Sequence, residues 1–148
     1  MAGHRRGWDT PTVQPPSKAT LSLWSSTHTS QEITDRLGLT PTGVHDRGEP
    51  ISRRNPKSKL RKDAGWLLRS GIPETEPLAD HLTDLLDQIE PRLPILAALL
   101  DGGCQLDWFC YLEATPLGNL VSLDASLLGR LAAVRGSITL DIYDSDPQ

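Results

Sequence analysis

The run Cys104 to Glu113, CQLDWFCYLE, sorts its side chains into two sets without a break: Cys104, Leu106, Trp108, Cys110 and Leu112 alternate with Gln105, Asp107, Phe109, Tyr111 and Glu113. Successive side chains of an extended chain point to opposite faces, so a period of two predicts a half-buried strand. The same period marks ATLSLWSS from Ala19, with Leu21 and Leu23 inward and Thr20, Ser22 and Trp24 outward. In SITLDIYD near the end of the chain, it turns Ile138, Leu140 and Ile142 inward. GWLLRS, Gly65 to Ser70, predicts a further strand. Residues 44–54 predict a poorly patterned one, suited to a sheet edge because Gly48 and Pro50 interrupt it. A short strand is expected at Leu120 to Leu123, after the turn Thr115-Pro116-Leu117-Gly118-Asn119.

Between these runs the period changes to that of a helix. Thr29-Ser30-Gln31-Glu32 offers a capping box before Ile33 and Leu37, and Gly38 stands where a helix commonly ends. Leu78, Leu82, Leu85, Leu86 and Ile89 form one apolar stripe after Pro77. Pro91 and Pro94 interrupt that stripe, and both are tolerable if a new turn starts near Glu90, so that Ile95, Leu96, Leu99 and Leu100 continue the face. Asp124 can cap a third helix carrying Leu127, Leu128, Leu131 and Val134, with Gly136 beyond it. The resulting order predicts an α+β fold: a two-layer sandwich with a mixed, mainly antiparallel sheet of about six strands and three helices on one face. Residues 1–18 show neither period and are expected to form a disordered or loosely attached lead, leaving 19–148 as a single domain.

A chain of 148 residues with 37% hydrophobic residues suits one core. It has no apolar run long enough for a membrane span and no apolar stretch within Met1 to Pro16 to serve as a secretory core, so a cytosolic protein is expected. Residues 1–70 carry 12 basic and 6 acidic side chains, a net of +6, and residues 71–148 carry 3 and 13, a net of −10, which sum to the overall −4.

Gly38-Leu39-Thr40-Pro41, the segment around Arg47-Gly48, Trp66 to Ser70, LADHLTDLLDQIEP and LAAVRGSITLDIYD together resemble, in order and spacing, the bacterial domain-of-unknown-function 4279 family over about residues 19–143. The resemblance implies a small α+β cytosolic bacterial protein and brings no catalytic residue with it.

Chemistry is sparse. Cys104 and Cys110 lie six residues apart in one strand, roughly 20 Å between their Cα atoms, too far for a disulfide. No C-x-x-C, H-x-x-x-H or H-E-x-x-H spacing marks a metal site, and no G-x-S-x-G elbow or glycine-rich phosphate loop opens a helix. No metal, cofactor or catalytic group is therefore expected. Asp107 and Asp141 share the outward face and are the acid–base pair to check, with Asp144 and Asp146 close behind. His81 is read as a surface or boundary residue, and His28 and His45 as loop residues.

Two surfaces remain. RRNPKSKLRK, residues 53–62, holds six of the 15 basic residues: Arg53, Arg54, Lys57, Lys59, Arg61 and Lys62. Across 46–63 the balance is 7 basic against 3 acidic, +4, while the rest of the chain totals −8 and would repel a duplex. The stretch is read as the link between two neighbouring strands, able to meet an acidic protein or, as the alternative, nucleic acid. The outward sheet face gathers Trp24, Phe109, Tyr111 and Tyr143 among polar groups, a mixture that suits protein contacts. The expected function is a non-enzymatic cytosolic module that binds another protein, of an immunity- or antitoxin-like kind. The alternative is a nucleic-acid accessory role for the loop 53–62.

Overall fold

A computed structural model of the chain describes residues 15–116 and 118–144. Its five strands are β1 (Ser17–Ser25), β2 (Gly43–His45), β3 (Ala64–Arg69), β4 (Gln105–Ala114) and β5 (Ser137–Asp144). They form one sheet in the order β2-β3-β1-β4-β5. β1 pairs antiparallel with β3 and β4, β2 pairs antiparallel with β3, and β5 pairs parallel with β4. The helices are α1 (Ser30–Leu37), α2 (Leu78–Ile89), α3 (Leu93–Asp101) and α4 (Ala125–Ala132). The α+β class and the mixed sheet thus follow from the periods read above.

Local signals act where they stand. Thr29 Oγ1 accepts from the Glu32 amide at 3.1 Å, and Gly38 closes α1 at φ 68°, where a side chain would be strained. The Asp124 carboxylate accepts from the Leu127 amide at 2.8 Å and starts α4. The two prolines do not bend one long helix. Instead α2 stops at Ile89, one 3-10 turn spans Glu90–Arg92 around Pro91, and α3 restarts with Pro94 in its first turn, so the second helical segment is double.

The core lies on one side of the sheet. Leu21, Leu23, Trp66, Leu106, Trp108 and Cys110 of the strands meet Ile33, Leu82, Leu85, Leu86 and Leu99 of the helices, all buried. Trp66 Nε1 donates to Thr34 Oγ1 at 3.0 Å, which ties α1 to β3 while satisfying the indole.

Four expectations need correction. Among the described residues there are five strands, not about six: residues 120–123 form no strand, because β1 and β5 already occupy both edges of β4. The poor strand over 44–54 contracts to Gly43–His45, since the chain then turns into a hairpin of its own, with the Ile51 amide donating to Lys59 O and the Arg61 amide to Glu49 O. Ser17 and Lys18, counted with the lead, begin β1; the rest of that segment up to residue 14 lies outside the described residues. Ile138, Leu140 and Ile142 do face the helix side, in register with Trp108, Cys110 and Leu112, yet stand 45%, 52% and 60% exposed. Leu128 of α4 is exposed beside them.

Candidate functional site: the open sheet face and the basic hairpin

Pairing in the sheet lays out its helix-free face in rows. Arg69, Thr20, Phe109 and Thr139 form one row, Leu67, Ser22, Asp107 and Ser137 the next, and Lys18, Tyr111 and Asp141 a third. Glu113 and Tyr143 lie beyond. Three of the four aromatic residues expected on this face therefore gather on β4 and β5. Tyr111 and Tyr143 stack at 5.1 Å between ring centroids, Lys18 Nζ stands 5.5 Å from the Tyr111 ring centre, and Lys18 also pairs with Glu74 at 2.9 Å. The Tyr111 hydroxyl donates to Glu113 at 2.9 Å, and this bond to a carboxylate raises the phenol's pKa. A hydrogen bond to Asp141 does the same for Tyr143. Both phenols therefore stay neutral at physiological pH. Phe109 and Tyr143 are exposed, and Tyr111 is half-buried by its neighbours.

Trp24 sits apart, at the β2 end of the face. It packs against His45 at 5.2 Å between ring centroids. His45 closes β2 instead of lying in a loop, and its imidazole lies over Gly65, where a Cβ would come 2.2 Å from the ring. Burial and then the Arg61 charge lower the His45 pKa, so the imidazole is neutral at physiological pH. Arg61 Nη1 lies 3.3 Å from His45 Nε2, which draws this guanidinium down onto the sheet. His45 is the member of this corner that sequence reading passed over. The signal was Gly65, a strand-interior glycine of the kind that marks a close approach.

The other five basic residues behave differently. Arg53, Arg54, Lys57, Lys59 and Lys62 are all exposed on the hairpin that joins β2 to β3. Its tip is ordered by its own bonds: the Ser58 amide donates to Asn55 O at 2.9 Å, and the Ser52 amide to Ser58 Oγ at 3.0 Å. At its base, Asp46 accepts from the Ser30 amide at 2.8 Å and from Ser30 Oγ at 2.6 Å. Burial opposes ionisation of that carboxyl, but the two Ser30 bonds outweigh it and the pKa falls. Arg47 donates to the Ser26 carbonyl, a second tie between hairpin base and body. Between hairpin and sheet lies a cleft of about 660 Å³ lined by His45, Glu49, Ile51, Arg53, Arg61 and Leu67, among others.

The acid–base pair does not form. Asp141 is opposite Tyr111, four residues along β4 from Asp107, which separates the two residues by roughly 13 Å along the sheet. Asp107 is instead held by the hydroxyls of Ser137 and Thr139, each at 2.8 Å. Asp146 lies outside the described residues. Both thiols are buried and free; burial raises the pKa of Cys104 and pushes Cys110 up to about 12. His81 is not at the surface: it is buried, with Nδ1 2.5 Å from Ser70 Oγ, and burial lowers its pKa. Among the described residues no group of three or more His, Cys, Asp or Glu could hold a metal ion, and no helix is long and apolar enough to cross a membrane.

A five-stranded mixed sheet with every packed helix on one face and a mixed aromatic and polar face opposite defines a two-layer α+β domain. The chain belongs to the family described as Domain of unknown function (DUF4279), whose match spans residues 15–145. No curated protein and no solved structure matches it significantly.

Proposed function

We propose that this chain is a cytosolic, non-enzymatic module that binds another protein, of an immunity- or antitoxin-like kind, through the helix-free face of its sheet. The observation that carries the reading is the grouping of Phe109, Tyr111 and Tyr143 with Lys18, Arg69 and Asp141 on a face that no described helix covers. Aromatic rings set among polar groups are what interface anchors are made of: large contact area, few rotatable bonds and a polar handle. A non-catalytic role is supported by the separation of Asp107 from Asp141 and by two buried thiols held protonated.

A photo-crosslinking residue placed at Phe109, with the same residue at Asp80 of α2 as the control, tests this in cells that express the chain at natural level. One discrete protein adduct at 109 and none at 80 is expected. Equal adducts at both positions, or none at 109, would sink the proposal.

A second reading rests on the five exposed cations of the hairpin, which could neutralise phosphates. Binding to mixed DNA or RNA would weaken steeply with salt, with a shallower slope when Arg53, Arg54 and Lys57 become Ala. Absence of any binding at low salt ends that reading.

A further inference from the structure

The two edges of the sheet are treated very differently. β2, at one edge, is three residues long, and the chain then leaves it through Gly48, Pro50 and the basic hairpin. Short length, proline and positive charge are the devices that keep an edge from pairing with another chain. β5, at the other edge, is eight residues long and contains no proline, glycine, lysine or arginine. Among the described strands it pairs with β4 alone, so from Ser137 to Tyr143 a row of backbone donors and acceptors points outward from the sheet. Its helix-side residues Ile138, Leu140 and Ile142 are half-exposed or more, and a groove of about 330 Å³ between Leu128, Leu131 and Ile138 continues that apolar strip onto α4.

We propose that β5 is a homodimer edge, at which two copies of this chain pair antiparallel about a twofold axis at Leu140 to make one ten-stranded sheet. The strand's own pattern selects that occupant and that register. With Leu140 facing its symmetry mate, Ile138 meets Ile142 of the other copy and Thr139 meets Asp141, so every apolar residue has an apolar partner and no carboxylate faces another. An axis at Asp141 would set two carboxylates face to face, and an axis at Thr139 would set Ile142 against Gly136; both are worse. The open face is a separate surface, and the dimer would make it continuous across both copies.

Sedimentation velocity on the full chain, over a concentration series, is the test. The expected species has twice the 16.2 kDa chain mass. Leu140→Lys, which sets two ammonium groups against each other at the axis, is expected to lose the dimer wherever wild type holds it, with an unchanged far-ultraviolet spectrum. Leu140→Cys is expected to form a disulfide-linked dimer on mild oxidation, whereas Lys57→Cys, exposed on the hairpin at the opposite edge of the sheet, is not. Phe109→Ala is expected to stay dimeric, so loss of the open-face reading and loss of this one are distinguishable. A monomer at every concentration would overturn the proposal, and so would a dimer that survives Leu140→Lys. A monomer whose β5 amides exchange slowly would also overturn it, because the chain's own residues would then cover the edge.

Discussion

Two glycine-to-alanine substitutions within eight residues of each other should move stability in opposite directions. At Gly136, just before β5, an added Cβ would lie 2.4 Å from Leu106 Cδ2, 2.9 Å from Leu106 O and 3.2 Å from Leu106 Cβ. The methyl can rotate aside, but the carbonyl belongs to β4 and cannot. An ordinary contact requires β5 to retreat from β4 by about half an ångström where their ladder begins, at Asp107 and Ser137. Overpacking of this kind costs about 1–3 kcal/mol, and the stiffer unfolded chain returns about 0.4–1, so a net loss near ~1–2 kcal/mol is expected. Gly129 lies exposed within α4 and has nothing within 4 Å of the same added atom. There alanine should stabilise by about 0.8–1 kcal/mol through helix propensity alone.

The two variants should therefore differ by roughly 2–3 kcal/mol, or about 4–12 °C in Tm for a chain of this size. Thermal and urea unfolding, followed by circular dichroism at one fixed protein concentration, would measure it, since a dimer makes Tm depend on concentration. A Gly136→Ala protein as stable as wild type would mean that β5 does not enter the sheet against Leu106. A destabilised Gly129→Ala protein would mean that α4 is covered.

Other expectations follow from the same packing. Thr34→Val leaves Trp66 Nε1 buried without its 3.0 Å acceptor and should cost about 1–3 kcal/mol, read as a lower urea midpoint at unchanged slope; a cost under ~0.5 kcal/mol would show that the indole has another partner. His81 is held below the ordinary histidine pKa, first by burial, with the Glu76 carbonyl, Asp80 and Asp84 opposing. The unfolded chain then takes its proton first, so stability is complete above about pH 6.5 and falls as pH drops below it, by up to ~1.4 kcal/mol per unit. His81→Gln should flatten that fall in urea unfolding at stepped pH, and an unchanged slope would assign it to other groups. Neither Cys104 nor Cys110 should react with a thiol reagent in the native state, and both should react in denaturant; fast native labelling would contradict their burial and raised pKa.

The period along each run told which face a side chain takes, and it did so reliably: Leu21 against Trp24 and Trp108 against Phe109 fall on the sides expected. Caps were equally legible, because Thr29, Asp124 and Gly38 act on backbone groups within four residues of themselves. What the period cannot carry is occupancy of a position by something distant in sequence. Leu120 and Val121 have strand composition, but β4, the strand they follow, already has β1 and β5 on its two sides. Of the ten residues expected to bind a partner, Phe109, Tyr111 and Tyr143 group on β4 and β5 and five basic residues stand free, while Trp24 and Arg61 are drawn to His45 by a cavity that only Gly65 leaves open.

The same distinction accounts for β5. SITLDIYD alternates as strictly as β4 does, and nothing within it says whether a helix lies above. Coverage is a matter of placement. α4 buries Leu127 and leaves Leu128 exposed beside a groove that Ile138 lines, so this helix does not close over the three aliphatic positions. Trp108, Cys110 and Leu112 on the adjacent strand are buried, so the sheet's twist and pleat are not what exposes their neighbours. The helix layer ends one strand short of the sheet. Three half-exposed aliphatic side chains on a paired, regular edge strand would otherwise be an aggregation hazard, and pairing of β5 with its own copy would occupy that edge and set the two aliphatic strips side by side.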